Sequence, residues 1–231
     1  MNPQKSTTSK GSRPLKTRAL KKKNLKNSSK QWLQRQLNDP YVFESQRQGL
    51  RSRSSFKLKQ IDENFKILKP NARVVDLGAA PGGWLQIAVM KTQSKSENPS
   101  VIGIDLLEIE PLKGTKLIQG DFLDKAVQES LLDILKGPVD VVLSDMAANT
   151  TGHATTDHLR TLMLAEEALQ FALNVLKPGG TFVSKFFQGG GEKDFMTTLK
   201  KHFRQVKFFK PDASRKESSE MYLVAQGFRK E

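Results

Sequence analysis

From residue 73 onward, short runs of apolar residues alternate with longer stretches in which apolar residues recur at helical spacing. This alternation is typical of a mainly parallel β-sheet with helices on both faces. The apolar runs predict seven strands, at 73–77, 101–105, 115–119, 139–144, 180–187, 205–210 and 220–227. The helical spacing predicts helices near 83–93, 123–136, 155–176 and 192–203. We therefore expect an α/β domain.

The end of the chain departs from a simple doubly wound dehydrogenase sheet. The last two predicted strands are joined by residues 211–219, PDASRKESS, which lack helical periodicity. Strands without a helical crossover between them can pair antiparallel, so we expect a hairpin at the edge of the sheet. Earlier in the chain, the sequence Lys-Pro-Gly-Gly at 177–180 is predicted to end the longest helix.

The chain of 231 residues contains 38 Lys and Arg against 24 Asp and Glu, a formal net charge of +14. This excess favours nucleic acid as a partner. Residues 1–30 hold ten of the basic residues and no acidic one. We expect them to form a disordered tail that precedes one folded domain at 31–231. The alternatives to phosphate contact for this tail are a solubilising arm and an organellar transit segment.

A second basic cluster, within residues 31–60, mixes cations with aromatic side chains. Its members are Arg35, Arg47, Arg51, Arg53, Lys57 and Lys59, with Trp32, Tyr41 and Phe43 among them. Such a mixture can bind phosphates and stack on bases, so we interpret the segment as RNA-binding. The alternative is a solvated helix face with Trp32 and Phe56 packed inward.

Several classes of site and location are disfavoured by the composition. The chain has no cysteine, which excludes disulfides, a thiolate nucleophile and cysteine-ligated metals. Its three histidines have no metal-ligand spacing, so we expect no metal site. No apolar stretch approaches the roughly 20 residues that span a bilayer, and no secretory signal is visible. We expect a soluble, cytoplasmic protein.

The segment GAAPGGW, from Gly78 to Trp84, links the first predicted strand to a helix. Its glycines allow the backbone to approach a ligand closely, and the N-terminus of the helix favours an anionic group. The spacing differs from GxGxxG and from the P-loop, which disfavours hydride transfer and phosphoryl transfer. A tight connection that binds no ligand is the alternative.

Two acidic residues at the ends of strands predict an adenosine pocket. Asp105 closes the second predicted strand, where a carboxylate can accept hydrogen bonds from both hydroxyls of a ligand ribose. Asp121 follows the third strand and can accept from an adenine amino group. The alternative for Asp121 is the N-cap of the helix predicted at 123–136.

Five ordered segments resemble the FtsJ/RrmJ family of RNA ribose 2′-O-methyltransferases: GLRSRSSFKL (49–58), VVDLGAAPGGW (74–84), SDMAANTTG (144–152), FVSKFFQGGG (182–191) and SSEMYLVAQG (218–227). The resemblance runs from residue 31 to the C-terminus. It implies the Rossmann-like fold of class I methyltransferases, with S-adenosyl-L-methionine as the cofactor. It also implies that a monomer methylates a uridine ribose of ribosomal RNA within the large ribosomal subunit.

The resemblance further implies site residues. The catalytic tetrad would be Lys57, Asp145, Lys185 and Glu220. The cofactor contacts would be Gly82, Trp84, Asp105, Asp121 and Asp145. In the family's usual sequence Asp-Met-Ala-Pro-Asn, this chain has Ala148 in place of proline, which restores backbone freedom near Asp145.

A ribose hydroxyl must lose its proton as it attacks the methyl group, and we assign the general base to Lys185. The amine must then be neutral. We expect burial and the positive charges of Lys57 and the sulfonium to lower its pKa below about 10.4. Nearby carboxylates act in the opposite direction, and we interpret Asp145 and Glu220 as groups that orient the lysines. Lys57 would stabilise the developing alkoxide or the adjacent phosphate.

Two other functions stay open at this point. The first is a ribose methyltransferase of similar fold that acts on transfer RNA. The second is a non-catalytic RNA-binding factor in ribosome assembly that retains the pocket as a scaffold. The complete tetrad argues against the second alternative.

Overall fold

The computed structural model describes residues 33, 34, 36–148, 151–187 and 193–230. Its helices are α1 (Pro40–Arg47), α2 (Ser55–Phe65), α3 (Gly83–Thr92), α4 (Lys125–Leu135), α5 (Ala154–Val175) and α6 (Lys193–His202). Its strands are β1 (Val74–Leu77), β2 (Val101–Asp105), β3 (Thr115–Gln119), β4 (Val139–Ser144), β5 (Leu176–Phe187), β6 (Phe203–Phe209) and β7 (Glu220–Phe228). The predicted tail and Arg35 lie outside the described residues.

Within the described part of the chain, seven strands form one sheet in the order β3-β2-β1-β4-β5-β7-β6. Strands β1 to β5 are parallel to one another, and β7 pairs antiparallel with both β5 and β6. The predicted seven-stranded, mainly parallel sheet is confirmed. The predicted antiparallel hairpin is also confirmed, with β6 at the edge and β7 beside β5.

Helices cover both faces of the sheet, which explains why β1 is buried at all four of its residues. On one face, Val74, Leu143 and Val183 pack with residues of α2 and α3 that include Leu58 and Leu85. On the opposite face, strand residues pack with α4, α5 and α6 in a second core that includes Val75, Val142, Phe182, Leu131, Leu169 and Leu199. The sheet is therefore the middle of three layers.

The connection between α5 and β5 differs from the prediction. Helix α5 ends at Val175, and β5 already begins at Leu176. Residues 177–180 thus lie inside the bounds of β5, where the register with β4 shifts between Val139 and Val141. Pro and Gly end the helix as expected, but the chain enters the sheet at once.

Among the described residues before β1, helices α1 and α2 have bounds that the sequence did not predict. Helix α1 begins with Pro40 at its first position, and the side chain of Asp39 accepts a hydrogen bond from Tyr41 N. Helix α2 packs against α3 and ends at Phe65, and its C-cap Lys66 has a left-handed conformation. None of the helices that the structure describes has both the length and the apolar character needed to cross a membrane.

Candidate active site

The carboxyl ends of β1, β2 and β4 border an open cleft of about 710 Å³. The lining includes Gly78, Asp105, Leu107, Asp121, Asp145, Met146, Ala148, Arg160 and Met163. Ligands of parallel α/β sheets bind at this end of the strands, in the crevice where the strand order reverses. The order reverses here at β1 and β4, so the cleft is the candidate binding site.

Asp105 and Asp121 both lie on the wall of this cleft. Asp105 accepts hydrogen bonds from Ala80 N and Leu107 N, each at 2.9 Å. These bonds fix the carboxylate, and each oxygen retains a lone pair for another donor. Asp121 Oδ1 accepts from Leu123 N at 2.9 Å.

Helix α4 begins after Asp124, whose side chain accepts a hydrogen bond from Ala126 N at 2.9 Å. Asp124 is therefore the N-cap of this helix. The interpretation of Asp121 as the N-cap is wrong, which leaves Asp121 on the rim of the cleft without a capping role.

Large apolar side chains are exposed around the same cleft. Leu106, Leu107, Leu123 and Met163 are 63%, 67%, 42% and 47% exposed, and all four line it. Exposed apolar side chains that converge on a concave surface are typical of a site that a ligand covers. Together with the carboxylates of Asp105 and Asp121, they fit the flat ring and the hydroxyls of an adenosine group.

The glycine-rich loop makes room for protein atoms. Gly78 has φ 77°, and a Cβ there would lie 2.8 Å from Met146 N. Gly82 has φ 102°, and a Cβ there would lie 2.6 Å from Arg51 Nη1. Because these two glycines have no side chain, the loop after β4 and the segment before α2 can pack closely against the glycine-rich loop.

Trp84 is buried, with 2% of its surface exposed. Its indole N–H donates to Ser54 O at 2.9 Å, and its ring packs against Tyr222. Among the described residues that line the cleft, Asp105, Asp121 and Asp145 are present, whereas Gly82 and Trp84 are not. Cofactor contact stays a prediction for all five residues.

The four predicted catalytic residues lie together beside the cleft. Lys185 Nζ is 2.9 Å from Asp145 Oδ1, and Lys57 Nζ is 2.6 Å from Glu220 Oε1. All four side chains are largely buried, at 10% to 17% exposure. The structure thus brings the tetrad together as two ion pairs.

The register of the sheet explains this proximity. Ser144 of β4 pairs with Ser184 of β5, so the next residues, Asp145 and Lys185, leave the two strands side by side. Lys185 is also the cross-strand partner of Tyr222 in β7, and Glu220 lies two residues earlier on that strand. Side chains two residues apart on a strand share one face. Lys57 reaches the cluster from α2.

The sequence analysis missed Tyr222, which is fully buried at the centre of the tetrad. Its hydroxyl donates to Asp145 Oδ1 at 2.7 Å and accepts from Lys57 Nζ at 3.2 Å. One signal could have indicated this residue. In the sequence Glu-Met-Tyr, strand alternation places Tyr222 on the same face as Glu220.

The pKa of Lys185 lies above its ordinary value, so the expected lowering is wrong for the protein alone. Burial lowers the pKa of this amine, but the charges of Asp145 and Glu220 and the hydrogen bond with Asp145 outweigh burial. Burial raises the pKa of Asp145. The ammonium groups of Lys185 and Lys57, together with the hydrogen bonds from Lys185 and Tyr222, nevertheless hold that pKa below its ordinary value. The resting pair is therefore an ammonium and a carboxylate.

Asp76, in the middle of β1, is a second buried acid that the sequence analysis did not single out. It has no exposed surface, and neither carboxylate oxygen has a hydrogen-bond partner among the described residues. Burial, and then the charges of Asp145 and Asp105, raise the pKa of Asp76 well above its ordinary value. Burial therefore favours the protonated form of Asp76.

Arg51, which the sequence places in the RNA-binding cluster, donates hydrogen bonds to other residues of the chain. Its guanidinium donates to Glu110 O at 2.8 Å, Pro111 O at 2.9 Å and Pro81 O at 3.2 Å. The last of these carbonyls belongs to the glycine-rich loop. Arg51 thus fixes that loop.

Other cations of the cluster are also paired. Arg53 Nε lies 3.0 Å from Asp39 Oδ2, and its Nη2 donates to Ala213 O at 2.6 Å. Arg47 forms an ion pair with Glu44 on the surface of α1. Phe56 is buried, as the alternative interpretation of this segment expected. Arg51 and Arg53 therefore stabilise the fold, and RNA binding by the segment at 31–60 stays a prediction.

Comparison with known proteins agrees with this geometry. The model of the FtsJ-like methyltransferase family matches residues 50–228. A Mesorhizobium japonicum protein named Ribosomal RNA large subunit methyltransferase E is 54% identical over 219 residues, which cover 95% of this chain and 83% of the relative. The protein of the same name from Paramagnetospirillum magneticum is 57% identical over 221 residues, which cover 95% and 91%.

A solved structure also matches. A protein of Plasmodium falciparum described as a ribosomal RNA methyltransferase superposes with a TM-score of 0.67 at 30% identity, covering 77% of this chain and 98% of the other. The family match, residues 50–228, includes the cleft and all four tetrad residues. The chain therefore belongs to the FtsJ-like methyltransferase family.

Proposed function

We propose that the chain transfers a methyl group from S-adenosyl-L-methionine to the ribose 2′-hydroxyl of a uridine in large-subunit ribosomal RNA. The observation that carries the proposal is the pairing of Lys185 with Asp145 and of Lys57 with Glu220 beside the cleft. The relatives' shared name supports ribosomal RNA as the substrate. The resemblance of the motifs supports the ribose hydroxyl as the acceptor.

The cleft provides the groups that the cofactor needs. Asp105 would accept hydrogen bonds from the ribose hydroxyls, and Asp121 would accept from the adenine amino group. Leu107 and Met163 would cover the adenine ring, with Gly82 and Trp84 of the glycine-rich loop as further predicted contacts. When bound, the cofactor supplies an electrophilic methyl group on a sulfonium.

The side chains of the tetrad would handle the proton and the charge. Lys185 must first release the proton of its resting ammonium. Its neutral Nζ then accepts the proton of the ribose hydroxyl as the oxygen attacks. Asp145 orients this amine, and it lies on both the cleft and the tetrad. Lys57, which Glu220 orients, stabilises the negative charge that develops on the oxygen or the adjacent phosphate.

RNA binding would use the cations that the fold does not require. The tail at 1–30 carries ten positive charges, and we propose that it contacts RNA phosphates together with the domain's segment at 31–60. Within that segment, Lys59 has no ion pair or hydrogen bond among the described contacts, whereas Arg53 forms an ion pair and Arg51 donates hydrogen bonds to backbone carbonyls. All residues of the proposed site come from one chain, which supports action as a monomer, and the ribosomal substrate of the relatives supports a cytoplasmic location.

Transfer of labelled methyl groups tests the function. The purified chain is mixed with labelled S-adenosyl-L-methionine and with large ribosomal subunits, naked ribosomal RNA or transfer RNA, and the modified nucleotide is mapped. We expect label on a 2′-oxygen of large-subunit RNA, detected as resistance of the adjacent phosphodiester to alkali. Label in transfer RNA alone would support the other substrate, and no label in any RNA would support a binding protein.

A further inference from the structure

Tyr222 has one proton and two lone pairs on its hydroxyl, and the site engages both kinds of partner. The proton goes to Asp145 Oδ1 at 2.7 Å. A lone pair accepts from Lys57 Nζ at 3.2 Å. The same Asp145 oxygen lies 2.9 Å from Lys185 Nζ. One hydroxyl therefore joins the two ion pairs of the tetrad.

The ring of Tyr222 is held on several sides, which fixes the hydroxyl. It has no exposed surface, and its centroid lies 5.5 Å from that of Trp84. The ammonium of Lys57 lies 5.6 Å from the centroid of the Tyr222 ring. Lys185 is its cross-strand neighbour, so the two side chains leave the sheet on the same face.

We propose that Tyr222 is a positioning residue for methyl transfer, whose hydroxyl sets the distance between the two ion pairs and shares the Asp145 carboxylate with Lys185. This inference rests on the proposed function, because methyl transfer is the reaction assigned to the tetrad. The hydroxyl stays protonated, since burial and then the charges of Asp145 and Glu220 raise the pKa of Tyr222 well above its ordinary value.

The shared carboxylate affects how easily Lys185 becomes neutral. A hydrogen bond from the hydroxyl spreads the charge of Asp145 and weakens its attraction for the ammonium. Without the hydroxyl, Asp145 would pair with Lys185 alone and hold its proton to a higher pH. The hydroxyl thus favours the neutral amine that the reaction requires.

Among the described residues, three titratable groups besides the tyrosine set the balance between Lys185 and Asp145. Lys185 faces Asp145 at the end of β4 and Glu220 of β7. Asp145 also faces Lys57 of α2 and the buried Asp76 of β1. Removing the tyrosine hydroxyl removes none of these groups, so the variant isolates the effect of the hydroxyl's two hydrogen bonds.

The test is Tyr222→Phe, assayed by single-turnover methylation of large ribosomal subunits between about pH 6.5 and about pH 9.5. We expect the rate at neutral pH to fall by roughly tenfold to a hundredfold, the effect of losing the hydrogen bonds of the hydroxyl with Asp145 and Lys57. Both rates should rise in parallel with pH, because Lys185 stays an ammonium below its raised pKa in both proteins, and the KM for RNA should stay unchanged. Each rate is divided by the fraction of folded protein measured at the same pH, so partial unfolding would not obscure the result.

A measurement without cofactor or RNA tests the same contact. The free energy of unfolding is measured in urea for the native chain and for Tyr222→Phe as the pH falls. The pKa of Asp145 is held low in the folded protein, so its stabilising bond is present above about pH 4 and is lost on acidification. We expect the difference between the two proteins to narrow at low pH. A difference that is constant with pH would overturn the proposal.

Thr92→Val is the matched control, because it deletes another fully buried hydroxyl, which donates to Ala88 O at 2.8 Å within α3. It should leave the rate and its pH profile unchanged. If the native chain methylates RNA and Tyr222→Phe matches it at every pH, the inference fails and the proposed function stands. If the native chain transfers no methyl group, the proposed function fails, and the unfolding measurement still tests the bond between Tyr222 and Asp145.

Discussion

Lys185 Nζ contacts Asp145 twice, at 2.9 Å from the carboxylate Oδ1 and at 2.9 Å from the backbone oxygen. The amine is therefore held against the loop that follows β4, and only 10% of its side chain is exposed. A lysine that extends to solvent beside a sheet would not have this geometry. The contacts fix Nζ beside Asp145, which lines the cleft, and this position suits the proposed role of Lys185 as the general base.

Replacing Lys185 by Ala should abolish most methyl transfer and leave cofactor binding nearly intact. Loss of a general base costs about a hundredfold to ten-thousandfold in rate. Lys177→Ala is a matched control, because Lys177 lies at the other end of β5, where it pairs with Asp140. Single-turnover methylation and calorimetric binding of S-adenosylhomocysteine would measure the two effects. A Lys185→Ala enzyme with the native rate would remove Lys185 from the mechanism.

The rate of methyl transfer should rise with pH. The pKa of Lys185 is raised by Asp145 and Glu220 more than burial lowers it, so the amine is charged at neutral pH. Below its pKa, the neutral fraction of an amine increases tenfold for each unit of pH. We expect the single-turnover rate to increase between about pH 6.5 and about pH 9. A rate that is independent of pH across this range would show that Lys185 does not accept the proton.

Asp121 and Asp124 lie three residues apart and should differ in their roles. Asp121→Ala should weaken cofactor binding by roughly tenfold, because it removes a hydrogen-bond acceptor from the cleft. Asp124→Ala removes the N-cap of α4, so it should lower the free energy of unfolding by about 1 kcal/mol and leave cofactor affinity unchanged. Calorimetry and urea unfolding would distinguish the two variants. Equal cofactor affinity in both would exclude Asp121 from the adenosine site.

Asp76 should make stability depend on pH. Its pKa is raised in the folded protein, so the folded chain retains a proton that the unfolded chain loses above about pH 4. The free energy of unfolding should therefore fall as the pH rises above that value, by up to about 1.4 kcal/mol per unit from this group. The Asp76→Asn variant lacks this titration. If the free energy of unfolding depended on pH in the same way in both proteins, the prediction would be contradicted. Asp133→Asn, on the exposed side of α4, is the control.

Arg53 should contribute to stability rather than to RNA binding. Arg53→Ala removes a largely buried ion pair with Asp39 and a hydrogen bond to Ala213 O. We expect the free energy of unfolding to fall by about 2–3 kcal/mol. The salt dependence of RNA affinity should keep its native slope, since no phosphate contact is lost. A reduced slope would show that Arg53 contacts RNA. Arg204→Ala, exposed on β6, controls for the loss of charge.

The sequence by itself determined the secondary structure from residue 73 onward and the ends of the strands that border the cleft. Periodicity is a local property, so the runs at 101–105 and 115–119 were predicted with their observed bounds. Residues at the carboxyl ends of parallel strands meet at one edge of the sheet. For this reason the sequence alone places Asp105 and Asp121 on one pocket.

The tertiary structure alone decided which partners each charged side chain has. Arg51 and Arg53 have the same sequence signature as a phosphate-binding arginine. In the structure, Arg51 donates to Pro81 O, 30 positions away, and Arg53 donates to Ala213 O, 160 positions away. The pKa of Lys185 depends on the distances to Asp145 and Glu220, and Tyr222 joins the ion pairs only in the observed register of β5 and β7. Electrostatic energies depend on distance and burial, which a linear sequence does not specify.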